Sequence, residues 1–176
     1  MEMILWLELL FETLPIILLR SIFIWAGIII ILKIKKKDCK ILWLICSAAL
    51  ILYYNILYEA TFGINGGFTV VENKLPPDLL PHMISQDDGF QTILNVFLFL
   101  PLGFLLPLVF SRIRKWYTVI LISGLTSLLV EILQYFSGRS MDINDIIFNV
   151  IGAGIGYLLK IGVEKFILLF RKKKAM

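Results

Sequence analysis

Residues 93–135 read ILNVFLFLPLGFLLPLVFSRIRKWYTVILISGLTSLLVEILQY. Two apolar runs, 93–111 and 116–135, flank a short turn that contains two arginines and a lysine. At about 1.5 Å per residue, a helix over either run covers the hydrocarbon core of a bilayer, which is about 30 Å thick. In lipid the backbone must satisfy its own hydrogen bonds, and runs without polar alternation favour helices over barrel strands. The stretch therefore predicts two antiparallel transmembrane helices.

Three more runs of the same kind extend this pattern toward both ends of the chain, at 14–33, 41–58 and 143–169. The chain is 59% hydrophobic, with a mean hydropathy of +0.89, so lipid is the expected solvent for most side chains. The sequence predicts an all-α, polytopic transmembrane bundle of five helices that forms a single membrane domain over residues 1–176. The 59–91 connection contains several glycines and prolines and is expected to be irregular, with room for a short interfacial helix.

Basic residues predict how this bundle is oriented. Most of the 17 Lys and Arg residues lie in the turn after the first helix, the turn after the third helix and the carboxyl terminus. The positive-inside rule places these regions in the cytoplasm, so the amino terminus and the 59–91 and 136–142 loops are expected outside. Two alternatives remain open for Arg20, inside the first helix: snorkelling to the outer surface, which is the favoured expectation, or pairing with Glu12 or Glu131. The net charge of +4 then reflects orientation and attraction to anionic membrane lipid, and nucleic acid is not an expected partner.

Polar side chains from three stretches are expected to meet at the outer end of the bundle. Glu131 and Gln134 are three residues apart, so they share a helix face. Asp142, Asp145 and Asn149 follow at i, i+3 and i+7 and also share a face. The carboxylate of Glu131 lies about one turn inside an apolar run, where the bundle interior is the place that offers partners. The complete set is Asn95, Glu131, Gln134, Arg139, Asp142, Asp145 and Asn149.

Proline and glycine in the third and fifth helices indicate where a helix bends and where two helices approach. Pro101 has no amide hydrogen, so it frees the carbonyl of Phe97 and is expected to kink the third helix and open room for a pocket. Gly152 and Gly156 have the GxxxG spacing that permits close contact with a neighbouring backbone. These two glycines, with Pro101 and Gly103, are expected to act structurally.

The order and spacing of these residues carry a family resemblance. The pattern Asn95-xxx-Phe99-x-Pro101-x-Gly103, followed by Glu131-xx-Gln134 and Gly138-Arg139-xx-Asp142-xx-Asp145-xxx-Asn149-xx-Gly152, resembles the VanZ-like family over residues 91–160. The resemblance implies a multi-pass protein of the bacterial cytoplasmic membrane, within the cell envelope. It also implies a link to resistance against teicoplanin-type glycopeptide antibiotics, without implying a reaction.

The polar cluster has chemical and structural interpretations. The catalytic candidates are Glu131, Asp142 and Asp145, whose oxygens also suit a divalent cation, the candidate cofactor. The substrate-binding candidates are Arg139, Asn95, Gln134 and Asn149, because an arginine fork holds phosphate or carboxylate and amides bind polar groups. In the structural interpretation Asp142 is the N-cap of the fifth helix with Asp145 at N3, Arg139 neutralises nearby acids, and the amides link helices.

Three functions of different class remain open at this point. The first is an envelope protein that alters antibiotic access or binding at the outer face. The second is an intramembrane enzyme acting on a lipid-linked or phosphate-bearing envelope substrate, and the third is a non-catalytic assembly partner of other membrane proteins. The ligands that fit are membrane lipid, a lipid-linked cell-wall precursor and a glycopeptide antibiotic. No Ser-His-Asp set or HExxH motif supplies an activated nucleophile, and zinc is not expected because the chain has one histidine.

Overall fold

A computed structural model describes residues 2–34, 40–62, 69–71, 76–81 and 89–174. Within these residues the chain forms five α-helices: α1 (Glu2–Ile34), α2 (Ile41–Phe62), α3 (Gly89–Val109), α4 (Trp116–Phe136) and α5 (Ile143–Lys174). Each helix contains a segment long and apolar enough to cross a membrane. The predicted all-α bundle of five transmembrane helices is confirmed, and its orientation stays a prediction.

The helix ends differ from the apolar runs in a consistent way. The span that fits a membrane in α1 is Thr13–Ile34, close to the predicted run, but the helix itself begins at Glu2. At the other end of the chain α5 continues past residue 169 to Lys174. Hydropathy marks only the part of a helix that prefers lipid, whereas Leu, Met, Glu and Lys continue a helix wherever the backbone allows it. The connection predicted at 59–91 is shorter than expected, because α2 continues to Phe62 and α3 begins at Gly89. Between these two helices, the described residues 69–71 and 76–81 contain no helix.

The packing of α2 against α3 forms the main apolar core. The buried side chains of α2 recur at intervals of four, three and four residues, and those of α3 at intervals of three, four and three. Such spacing places one apolar stripe of each helix against the other, as in left-handed helix packing. The stripe residues are Cys46, Leu50, Tyr53 and Leu57 on α2 and Phe99, Leu102, Leu106 and Val109 on α3.

The backbones of α3 and α5 touch through glycines. A Cβ atom added at Gly152 would lie 2.2 Å from the carbonyl oxygen of Val96, and one added at Gly156 would lie 2.0 Å from that of Leu100. From the other side, a Cβ atom at Gly103 would lie 1.8 Å from a carbonyl oxygen of α5. Close approach of this kind allows Cα–H to carbonyl contacts and holds two helices in one register. The α3–α5 contact therefore fixes the two helices that carry Asn95 and Asp145.

The first helix packs along α2 and carries an ion pair that the sequence analysis did not anticipate. Arg20 pairs with a carboxylate of α2 that was not among its predicted partners. Its Nη2 donates to Glu59 Oε1 at 2.8 Å, and its Nε donates to Asn55 Oδ1. The guanidinium also lies 5.3 Å from the centre of the Tyr58 ring. Because Asn55 and Glu59 are four residues apart on the face of α2 that meets α1, they provide partners within the bundle, where pairing lowers the cost of a charge.

The turn between α4 and α5 is held by the connection from α2 to α3. The backbone N–H of Asp78 donates to Met141 O at 2.8 Å, and Asp78 O accepts from the N–H of Ile143 at 3.0 Å. The N–H of Val71 donates to Phe136 O at 3.0 Å. These bonds satisfy backbone groups at the end of α4 and the start of α5, which lack partners within their own helices. The turn that carries Arg139 and Asp142 is thus fixed at what we call the site end of the bundle.

Candidate functional site

The carboxyl end of α4 positions Arg139 through a Schellman motif. Gly138 has a φ of +86°, in the left-handed region that glycine adopts without strain. The N–H of Gly138 donates to Tyr135 O at 3.2 Å, and the N–H of Arg139 donates to Gln134 O at 3.1 Å, which are the two bonds that define this motif. The reversal brings the Arg139 side chain back over Gln134.

Glu131 is at the centre of the polar cluster. Its side chain is 2% exposed, and its Oε2 accepts a hydrogen bond from the backbone N–H of Asp142 at 3.0 Å. One orientation of the Gln134 amide satisfies both of its neighbours, so we assign that orientation. In it, Gln134 Nε2 donates to Glu131 Oε1 at 3.0 Å, and Gln134 Oε1 accepts from Arg139 Nη1 at 2.8 Å. The Gln134 amide thus connects the buried carboxylate to an exposed guanidinium.

Two aspartates at the start of α5 have different roles. Asp142 Oδ1 accepts from the N–H of Asn144 at 2.7 Å, so Asp142 is the N-cap of α5. Asp145 Oδ1 accepts from Asn95 Nδ2 at 2.5 Å, a bond that joins α5 to α3. In a capping box, the acid at N3, here Asp145, would accept from the backbone N–H of the N-cap residue, here Asp142. In this structure that N–H donates instead to Glu131, on α4. The carboxylate of Glu131 therefore links the end of α4 to the start of α5.

Asn149 places a polar atom without a partner deep in the site. The residue is 3% exposed, and its Nδ2 donates to Ser127 Oγ at 2.9 Å. Its Oδ1 has no hydrogen-bond partner among the residues that the structure describes. A buried amide oxygen without a donor is costly. This oxygen is therefore a ready acceptor for water or for a ligand that brings an N–H or O–H group.

These side chains surround a cavity of about 360 Å³ at the site end. All of the predicted polar residues except Asp142 line it. The lining also includes residues that the sequence analysis did not single out, from the end of α2 and the start of α3. The lining residues are Ala60, Thr61, Gln91, Asn95, Leu98, Phe99, Val130, Glu131, Gln134, Arg139, Asp145 and Asn149. The cavity is thus formed by four helices and the α4–α5 turn, and we call it the polar cavity.

The proline and glycine residues do not line the polar cavity. Gly103, Gly152 and Gly156 lie at the α3–α5 contact, and α3 continues through Pro101 to Val109. The residues of α3 that line the polar cavity are instead Gln91, Asn95, Leu98 and Phe99. The three glycines set the spacing and register of the two helices that carry Asn95 and Asp145.

The residues that line the polar cavity offer carboxylate and amide oxygens as hydrogen-bond acceptors, and the cation among these lining residues is Arg139. Each of the three candidate carboxylates already accepts an N–H bond, from a backbone amide or from an asparagine. Among the described residues, no group of three or more His, Cys, Asp or Glu side chains is placed to hold a metal ion. Ser140, the nearest hydroxyl to Arg139 in sequence, donates to Pro76 O at 3.0 Å, and a backbone carbonyl is too weak a base to activate a hydroxyl. The arrangement suits binding of a donor-rich polar ligand.

Fold and site together define a multi-pass membrane protein with a buried polar cavity at one end of its helix bundle. The family model for VanZ/LLP1 matches residues 41–167, and the chain therefore belongs to the VanZ/LLP1 family. The matched range runs from the first residue of α2 into α5, so it includes all of the residues that line the polar cavity. Searches of curated proteins and of solved structures gave no match.

Proposed function

We propose that this protein is a binding protein of the bacterial cytoplasmic membrane whose polar cavity opens to the outside and takes the polar head of a lipid-linked cell-wall precursor. In this proposal, binding changes the access of teicoplanin-type glycopeptide antibiotics to the precursor and lowers the sensitivity of the cell. The observation that supports it best is the unpaired Asn149 Oδ1, buried in the polar cavity that Glu131 and Asp145 also line.

The charges and acceptors of the polar cavity match the chemistry of such a ligand. Its inner wall presents carboxylate and amide oxygens, which accept from the hydroxyl and amide N–H groups of a sugar and peptide. At its mouth Arg139 is exposed, and a guanidinium binds phosphate oxygens through two parallel hydrogen bonds. A lipid-linked precursor carries both kinds of group close to the membrane surface.

Binding is favoured over catalysis because the carboxylates already accept hydrogen bonds from N–H groups of the protein itself. Glu131 accepts from two donors, one on the backbone and one on Gln134, and Asp142 caps α5. A general acid or base needs a proton path to the reacting atom, and an activated nucleophile needs an adjacent base. The described residues provide pre-formed hydrogen-bond acceptors instead, which lower the ordering cost of a bound ligand.

The experiment that tests this proposal is antibiotic protection in a teicoplanin-sensitive bacterium. Cells expressing the wild type are expected to tolerate more teicoplanin than cells with an empty vector. Glu131→Gln should remove the protection. The new amide places an N–H group against the Nε2 donor of Gln134, so the Gln134 amide must rotate and its oxygen no longer accepts from Arg139. Arg139→Lys should also remove it, because a single ammonium cannot replace a two-pronged contact with phosphate.

Two controls separate ligand binding from folding. The matched variant is Arg112→Lys, which makes the same exchange at an exposed arginine of the α3–α4 turn, and it should protect as well as the wild type. Membrane abundance of every variant is measured by immunoblot in the same cells. Full protection by Glu131→Gln and Arg139→Lys at equal abundance would contradict the proposal, as would a wild type that gives no protection.

A further inference from the structure

A second, larger groove lies at the opposite end of the bundle. It has a volume of about 780 Å³. It is formed by the end of α1, the start of α2, the end of α3, the turn between α3 and α4, and α5. Three cations line it, Lys40, Arg114 and Lys160, together with an apolar wall that includes Trp43 and Leu108. We call it the basic groove. None of its lining residues belongs to the polar cavity, so it is a separate site.

The charges of the basic groove are not balanced by its own acids. Lys160 is 7% exposed, and its Nζ lies 2.8 Å from Glu164 Oε2. Glu164 is the one acidic residue among the lining residues that the structure describes, whereas three of these lining residues are cations. Burying an ammonium group is costly unless anions surround it. The basic groove therefore attracts an additional anion.

Aromatic side chains fix the basic groove at the membrane boundary. Trp43 Nε1 donates to Val109 O at 2.9 Å, which ties the start of α2 to the last residue of α3. The Tyr157 hydroxyl donates to Arg114 O at 2.9 Å, which ties the α3–α4 turn to α5. Tryptophan and tyrosine prefer the interface between lipid and water. The cations are thus held at the level of lipid headgroups, and the apolar wall continues toward the acyl chains.

We propose that the basic groove binds one anionic phospholipid. Arg114 and Lys160 hold its phosphate, Lys40 adds a third positive charge, and one acyl chain lies along Trp43 and Leu108. A zwitterionic phospholipid would bring its own ammonium group next to these cations, which disfavours it. Free inorganic phosphate lacks the acyl chain and gains nothing from the apolar wall.

The test uses the purified full-length protein in a neutral detergent, with phosphatidylglycerol, phosphatidylcholine or inorganic phosphate as the probe. Native mass spectrometry measures how many probe molecules stay bound and how tightly. Phosphatidylglycerol is expected to bind to one saturable site, and neither of the other probes is expected to do so. The Arg114→Gln/Lys160→Gln variant should bind phosphatidylglycerol about twenty-five-fold more weakly, because each of the two basic residues strengthens binding to an anionic lipid by about fivefold.

The matched control removes two cations outside the basic groove. Arg112 lies in the same turn as Arg114, and Lys165 lies on α5 after Lys160; both are exposed and neither lines the groove. Arg112→Gln/Lys165→Gln should keep the wild-type affinity within about twofold. Equal losses in the two double variants, or equal binding of phosphatidylcholine, would overturn the proposal. If the first double variant does not fold, Arg114→Gln alone decides the question, because the Arg114 side chain is exposed and its removal leaves the core intact.

Discussion

Replacing Gly152 with alanine should separate α3 from α5. A Cβ atom at this position would lie 2.2 Å from Val96 O, whereas ordinary van der Waals contact begins at about 3.4 Å. The two backbones must therefore move apart by about 1.2 Å, the difference between these distances. A carbonyl group cannot rotate away as a side chain can, so the strain falls on the packing of the whole helix pair.

The expected cost follows from two opposing effects. Overpacking a close contact costs about 1–3 kcal/mol, and alanine regains up to about 1 kcal/mol over glycine in a helix. Their difference lowers the free energy of unfolding of Gly152→Ala by up to about 2 kcal/mol. Because Asn95 directly precedes Val96, the same movement stretches its bond to Asp145. The variant should thus weaken the polar cavity as well as the fold.

The assay is reversible unfolding of purified protein in detergent, followed by circular dichroism. Its matched control is Gly162→Ala in the same helix, where an added Cβ atom meets nothing within 4 Å. Gly162→Ala should unfold at or above the wild-type midpoint, since only the helix-propensity gain applies. A Gly152→Ala protein as stable as Gly162→Ala would refute the close backbone contact between α3 and α5.

Other parts of the structure give further predictions. Gly138→Ala should destabilise the protein by about 1–2 kcal/mol, measured by the same unfolding assay, because alanine is strained at a φ of +86°. Arg20→Met should destabilise by about 1–3 kcal/mol because it leaves Glu59 without its ion-pair partner, and adding Glu59→Gln should restore part of that loss in a double-mutant cycle. In a cysteine-free background, a cysteine at Val70 should react with an impermeant thiol reagent on intact cells, and one at Arg112 should not.

Specific results would contradict each of these predictions. An unchanged midpoint for Gly138→Ala would argue against the Schellman motif at the end of α4. Strictly additive effects of Arg20→Met and Glu59→Gln would mean that the ion pair contributes nothing. Labelling at Arg112 and protection at Val70 would reverse the orientation and place the polar cavity on the cytoplasmic side.

The number and location of the helices could be predicted because hydropathy is a local property. Each membrane span lies where an apolar run of sufficient length occurs, and each turn contains the charged or helix-breaking residues that end such a run. The full length of α1 and α5 could not be predicted in this way, since helices continue beyond the lipid-soluble segment. The Arg20–Glu59 pair was missed because hydropathy does not tell which faces of two helices meet.

Most of the polar cavity could be predicted because a polar residue in an apolar run is conspicuous. Residues such as Glu131 and Asn149 stand out for this reason, and helical spacing indicates which of them share a face. Spacing alone did not separate the capping role of Asp142 from a role in the cavity. That distinction depends on where the backbone turns, which Gly138 and the pairing with Asp78 determine.

Other contributors to the site have weaker signals in the sequence. Ser127, which accepts a hydrogen bond from Asn149, lies four residues before Glu131 on the same buried face of α4. The sequence spacing therefore did indicate a polar stripe on this helix. Thr61 and Gln91 line the polar cavity from the end of α2 and the start of α3. Polar residues are common at helix ends, so nothing in the sequence marked these two as cavity residues.

The most direct test of the central claim is ligand binding by the purified full-length protein. Thermal unfolding is measured with and without a lipid-linked cell-wall precursor, because a ligand at about 100 times its Kd stabilises the native state by about 2.7 kcal/mol. We predict a saturable rise in Tm for the wild type and for Arg112→Lys, and no rise for Glu131→Gln. An unchanged Tm for the wild type, or an equal rise for Glu131→Gln, would contradict the assignment of the polar cavity as the binding site.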